Sequence, residues 1–109
     1  MGITKTENYT QEQVELGQIL KVMGHPARIA ILQSIIRSKT CICGELVTEI
    51  GLAQSTISQH LKELKTVGLI KGTIDGTSMC YCINNETWER VKDTLSALLD
   101  SVDANEGCC

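Results

Sequence analysis

The six cysteines of this 109-residue chain come as three close pairs, Cys41/Cys43, Cys80/Cys82 and Cys108/Cys109. Pairs this close in sequence cannot staple distant segments together, so they do not form a disulfide scaffold; in a reducing compartment such clusters serve soft-ion coordination or thiol redox chemistry. Cys41-Ile42-Cys43 reads as the opening turn of a short helix, where a thiol's pKa falls and the ligating thiolate is favoured. Residues i and i+2 do not share a face of a regular helix, so two thiols gripping one ion there would have to distort that turn. Cys80 and Cys82 alternate on one face of a predicted strand, with Met79, Tyr81 and Ile83 on the other. They read as small packing residues or half-exposed thiols, with ion binding left open. The two histidines, His25 before Pro26 and His60 at the edge of a helix's buried face, read as structural hydrogen-bonding groups. No Cys/His pairing, carboxylate pair or phosphate-binding glycine loop stands at a catalytic spacing, and no enzyme is expected.

The elements that must position these thiols are mostly helical. Thr10 and Gln13 have the form of a capping box, and Leu16, Ile19, Leu20 and Met23 follow at helical spacing, which predicts a helix over about 11–23. Pro26 suits the first position of a second helix, whose buried stripe of Ile29, Leu32, Ile35 and Ile36 runs to about Ser38. A short helix over about 43–50, carrying Leu46, Val47 and Ile50, stops at Gly51; Gln54 or Ser55 opens the next, with Ile57, Leu61 and Leu64 on one face and Gly68 at its end. Two strands follow, 69–74 and 77–83, joined by a turn at Asp75-Gly76. Asn84 or Asn85 caps a last helix to about Asp103, with a near-heptad stripe of Trp88, Val91, Leu95, Leu98, Leu99 and Val102. That stripe suits a partner subunit, the chain's own core, or both.

With 42% hydrophobic residues, no Phe and one Trp, the core must be built from Leu, Ile and Val. The length suits one domain over residues 1–109, with a core of about 10–103 and a short acidic, cysteine-ended tail at 104–109. So small a helical domain would draw much of its stability from dimer burial. No run of about 18 apolar residues occurs and the first residues lack a secretory apolar core, so a cytosolic protein with no membrane partner is expected. The net charge of −3 is unevenly spread: residues 21–71 hold seven bases against three acids, giving +4 and leaving −7 elsewhere. A basic middle between acidic ends is compatible with a nucleic-acid face as well as with ordinary solvated charge.

Helix, short turn, helix and then a hairpin is the order of a winged helix-turn-helix. Burying Ile57, Leu61 and Leu64 leaves Ser55, Gln59, Lys62 and Thr66 opposite, flanked by Thr56, Ser58 and Glu63. Gln54, Ser55, Thr56, Ser58 and Gln59 are the candidates for contacts to base edges and backbone, and Lys62 and Lys65 for phosphates.

Here the chain resembles the ArsR/SmtB family of winged-helix repressors, and within it the arsenical-responsive branch. The resemblance is carried by Leu20 to Leu32 (LKVMGHPARIAIL), Cys41 to Leu46 (CICGEL), Gly51 to Leu64 (GLAQSTISQHLKEL), and Asp75-Gly76 with Tyr81 and Ile83, and it covers roughly residues 14–85. It implies a homodimer through the first and last helices, two recognition helices on a palindromic DNA operator, and repression relieved when an ion binds. It also implies that Cys41 and Cys43 are ion ligands, with trivalent arsenic or antimony as inducer and cadmium or lead as the alternative; no obligatory cofactor is expected. The arsenical pattern often has a third cysteine three residues after the second, where this chain has Leu46. Cys108 or Cys109 could replace it, since about six residues at roughly 3.3 Å each span about 20 Å. The other sensor site of the family uses His with carboxylates on the last helix, which here has no His. A thiol-redox repressor of the same fold, and, from a different class, a thiol-rich ion carrier or protein-interaction module, are the competing readings.

Overall fold

Helix α1 (Gln11–Met23) begins where its capping box closes: the Gln13 N–H donates to Thr10 Oγ1 at 3.0 Å, and the Thr10 N–H donates to Gln13 Oε1 at 2.9 Å. Two of the helix's orphan donors are thereby satisfied, as the sequence led one to expect. The computed structural model of the chain describes residues 8–38, 42, 43, 51–75 and 78–102. Helix α2 (Pro26–Ser38) follows a break at Gly24-His25. His25 caps it: its carbonyl accepts from the Ile29 N–H at 3.0 Å and its Nδ1 from the Ala27 N–H at 3.1 Å.

The remaining elements are β1 (Ile42–Cys43), α3 (Gln54–Thr66), β2 (Ile70–Asp75), β3 (Ser78–Ile83) and α4 (Asn85–Asp100). Helix α3 ends in a Schellman motif, in which the Leu69 N–H reaches the Leu64 carbonyl at 3.1 Å and the Gly68 N–H reaches the Lys65 carbonyl at 2.9 Å. Gly68 has φ +83°, a left-handed conformation that side chains rarely adopt, and a Cβ there would also press on Thr87 Oγ1 at 3.2 Å. Leu64 and Leu69, brought together by the motif, are both fully buried. Helix α3 is thus tied to β2, the strand that follows it.

Two expectations shift. Asp75 is not in the hairpin turn but is the last residue of β2, paired with Ser78. The ladder is pinned at its other end by Ile70 opposite Ile83, with Ile70 and Tyr81 in the core, and the alternating pattern then carries pairing through Asp75. The sheet also has three strands rather than two, in the order β1-β3-β2, because Ile42 and Cys43 pair antiparallel with Tyr81 and Cys80. Cys43 therefore sits in a strand and not on the opening turn of a helix; the rest of the short helix expected there lies outside the described residues. At Cys43, pairing with an edge of β3, distant in sequence, outweighs the local helix signal.

One core joins the four described helices to the sheet: Ile19 of α1, Ile31, Leu32 and Ile35 of α2, Ile57, Leu61 and Leu64 of α3, and Val91 of α4 meet Leu69, Ile70 and Tyr81. The Trp88 indole N–H donates to the Leu69 carbonyl at 2.9 Å, locking α4 onto the start of the hairpin. No single helix among the described residues is long and apolar enough to cross a membrane.

Candidate nucleic-acid interface and the cysteines

Helix α3 is sharply two-sided. Ile57, Leu61 and Leu64 are wholly buried, whereas Ser55, Thr56, Gln59, Lys62, Lys65 and Thr66 are exposed and Ser58 is half-buried. Gln54 is the helix's first residue; its side chain lies outside the described set. The structure therefore brings six of the seven expected DNA-contact residues to the outer side and flank of one helix. Gln59 Nε2 leans on Glu63 Oε1 at 3.4 Å, a long contact that leaves the amide able to turn toward a base edge. The first turn of α3 carries no acidic residue, so the positive end of its dipole remains available to a phosphate.

What holds this helix in place was only partly legible in the sequence. Arg28 of α2 donates from Nε to His60 Nδ1 of α3 at 3.1 Å and from Nη1 to the Val22 carbonyl at the end of α1 at 3.2 Å. One guanidinium thus links three helices and satisfies a carbonyl that the end of α1 leaves without a helical partner. The His25 and His60 rings lie 4.8 Å apart. Burial, then the Arg28 charge, then His25 lower the His60 pKa below its ordinary 6.5, which favours the neutral ring that the Arg28 bond requires. Both histidines are structural in this arrangement, in line with the sequence reading. The role of Arg28 was missed: an arginine two residues after Pro26 carries no local signal for a partner 32 residues away.

The wing is set by β2 and β3. Gly72, at φ +135°, lies opposite Tyr81, and a Cβ there would run into the Cys80 carbonyl oxygen and the Tyr81 Cα. Only glycine lets the two strands approach this closely. Lys71 beside it is exposed, which offers one cation from the wing to a DNA backbone.

Of the candidate ion ligands, Cys43 lies in β1 as the Cα partner of Cys80; Cys41, Cys108 and Cys109 lie outside the described residues. Cys80 is exposed and Cys82 half-buried, on the side of β3 opposite the buried Tyr81, as alternation requires. Among the described residues no three His, Cys, Asp or Glu groups converge as a metal site.

A polar recognition helix locked to a hairpin and steadied by buried contacts from two preceding helices defines a winged-helix DNA-binding protein. Residues 25–71 match the bacterial regulatory protein arsR family. The chain is 38% identical over 77 residues to the HTH-type transcriptional regulator YgaV of Escherichia coli, covering 71% of this chain and 78% of that protein. It is 30% identical over 94 residues to the arsenical resistance operon repressor of Staphylococcus xylosus, covering 86% of each. The crystal structure of NolR from Sinorhizobium fredii superposes with a TM-score of 0.61 at 25% identity, covering 90% of this chain and 95% of that one. The chain belongs to the arsR family of bacterial transcription regulators, which bind DNA and are not enzymes.

Proposed function

We propose that the protein is a homodimeric repressor of a palindromic operator, released from DNA when trivalent arsenic or antimony binds Cys41 and Cys43. The observation that carries the reading is the Cys-X-Cys pair entering β1, at the edge of the sheet that forms the wing. Thiolates are the donors soft ions select. Likeness to the arsenical repressor of Staphylococcus xylosus supports this choice of ion.

The dimer surface would centre on α4 and the residues just after it, where Leu98, Leu99 and Val102 are 55%, 63% and 75% exposed, beside an apolar groove lined by Met23, Trp88, Leu95 and Leu99. Two-fold pairing through this face sets two α3 helices to read half-sites about one DNA turn apart, Gln54, Ser55, Thr56, Ser58 and Gln59 toward bases and Lys62 and Lys65 toward phosphates. An ion drawn onto β1 shifts the edge of a sheet whose opposite edge, β2, follows directly from α3. A coupling of about 1–3 kcal/mol is typical of such linked sites. Cys108 and Cys109 are the candidates that the sequence alone offers for a third thiolate.

The test is fluorescence anisotropy of the reduced protein on an imperfect palindromic promoter fragment, titrated separately with arsenite and with cadmium. Release by arsenite that disappears in Cys41→Ser is the expected result. DNA binding that neither ion relieves at several-fold excess would discard the ion-sensor reading and make an oxidant the next titrant.

A further inference from the structure

Cys43 and Cys80 face each other as Cα partners where β1 pairs antiparallel with β3. Residues directly opposite in such a pair share a face of the sheet, with Cβ atoms about 4.5–5.5 Å apart. The face is the outer one, because Tyr81 next to Cys80 is 1% exposed within the core while Cys80 is exposed. We infer that Cys80 supplies the third thiolate of the soft-ion site that Cys41 and Cys43 begin. This rests on the proposed ion-binding role of those two residues, and it fills the ligand place that Leu46 leaves vacant in the arsenical pattern.

Distances separate Cys80 from the other candidates. Two thiolates on one ion, each about 2.3 Å from it in the case of zinc, stand no more than about 4.6 Å apart. Directly opposed strand positions, which is how Cys43 and Cys80 are paired, suit that spacing. A direct disulfide favours Cβ atoms about 3.8 Å apart, closer than opposed strand positions lie. Cys82 occupies the diagonal position, about 7–8 Å from Cys43, too far for a short side chain to share an ion as readily. Lys71, the Cα partner of Cys82, falls on the same face and offsets the negative charge that three thiolates gather. An ion held in this way fastens the edge strand β1 to the central strand β3, half of the wing, so binding is felt directly in the hairpin beside α3.

The test is cadmium binding to the reduced full-length protein, read by the ultraviolet thiolate-to-cadmium charge-transfer absorption, whose intensity follows the number of bound thiolates, and by competition with a chelator. Cys80→Ser is expected to lose the absorption of one thiolate in three and to weaken binding by at least about 10-fold, since even outer-shell partners of a metal site cost about 10- to 100-fold. Cys82→Ser and the double variant Cys108→Ser/Cys109→Ser are expected to retain both. Cys80 is exposed, so serine leaves the fold in place, and unchanged operator binding by the ion-free variant checks this. If Cys80→Ser keeps the full absorption while Cys41→Ser loses it, the inference is overturned and the ion-sensor reading stands. If the wild type shows no thiolate absorption with cadmium or arsenite, both fall.

Discussion

Arg28 donates its Nε–H to Nδ1 of His60 across 3.1 Å, joining α2 to the recognition helix. The bond needs His60 neutral, and its environment holds it so: burial acts first, then the Arg28 charge, then His25. The orientation of the DNA-reading helix is therefore tied to an imidazole whose pKa is lowered where it packs.

Because the His60 pKa is lower in the folded protein than the ordinary 6.5, the unfolded chain takes up a proton first as pH falls. The stability from His60 is fully present above 6.5 and declines as pH drops from there toward the lowered folded value. Urea denaturation across this window should show a falling midpoint for the wild type and a shallower decline for His60→Gln. Equal slopes for the two proteins would mean that His60 does not carry the effect.

Arg28→Ala removes a charged donor from two acceptors on neighbouring helices, and about 1.5–3 kcal/mol of stability should go with it, the usual range for hydrogen bonds to a charged group. Arg28→Lys should rescue little, since a single ammonium cannot reproduce the guanidinium fork that reaches His60 and Val22 together. Denaturant midpoints of the three proteins decide the matter; a lysine variant as stable as the wild type would show that charge alone suffices.

On DNA, Lys62→Ala and Lys65→Ala should each reduce the slope of log affinity against log salt by about 0.9 while weakening all sequences alike. Gln59→Ala should instead relax discrimination at one position in each half-site, by about 10-fold. Binding titrations over a range of salt concentrations, with operator and single-base variants, separate the two behaviours. A uniform loss for Gln59→Ala would assign it to the backbone.

The exposed Leu98 and Leu99 should matter only between subunits. Burying a leucine contributes about 1.5–3 kcal/mol, so Leu98→Asp/Leu99→Asp should raise the dimer dissociation constant by on the order of 100-fold or more. The fold of each protomer should be untouched, because both residues are more than half exposed within it. Sedimentation equilibrium gives the constant, and a variant that stays as dimeric as the wild type would move the interface off this face.

Much of the fold was legible because its signals are short-range. The Thr10/Gln13 box, Pro26 at a helix start, Gly68 at a helix end and the Ile57, Leu61 and Leu64 stripe each act within a turn or two, and each appears where it was read. The same locality explains the errors. Asp75-Gly76 resembles a turn, whereas strand register, set by core residues at the far end of the ladder, keeps Asp75 paired. Cys43 was assigned to a helix because the residues after it have helical spacing, yet it pairs with Cys80, 37 residues on.

The sequence by itself determined the order of the described elements and the apolar and polar faces of α3, since periodicity and capping depend only on neighbours along the chain; in α2 it put Ile29 and Ile36 in the buried stripe, whereas both are exposed and Ile31 is buried in the core. Tertiary structure alone decided which groups meet. It set Arg28 between His60 and Val22, and it brought Cys80, set aside in the linear reading as a packing residue, opposite Cys43. The physical reason is that such contacts come from the closure of long loops and from a shared sheet register. Both depend on the whole core being formed, and neither leaves a periodic trace in the residues they join.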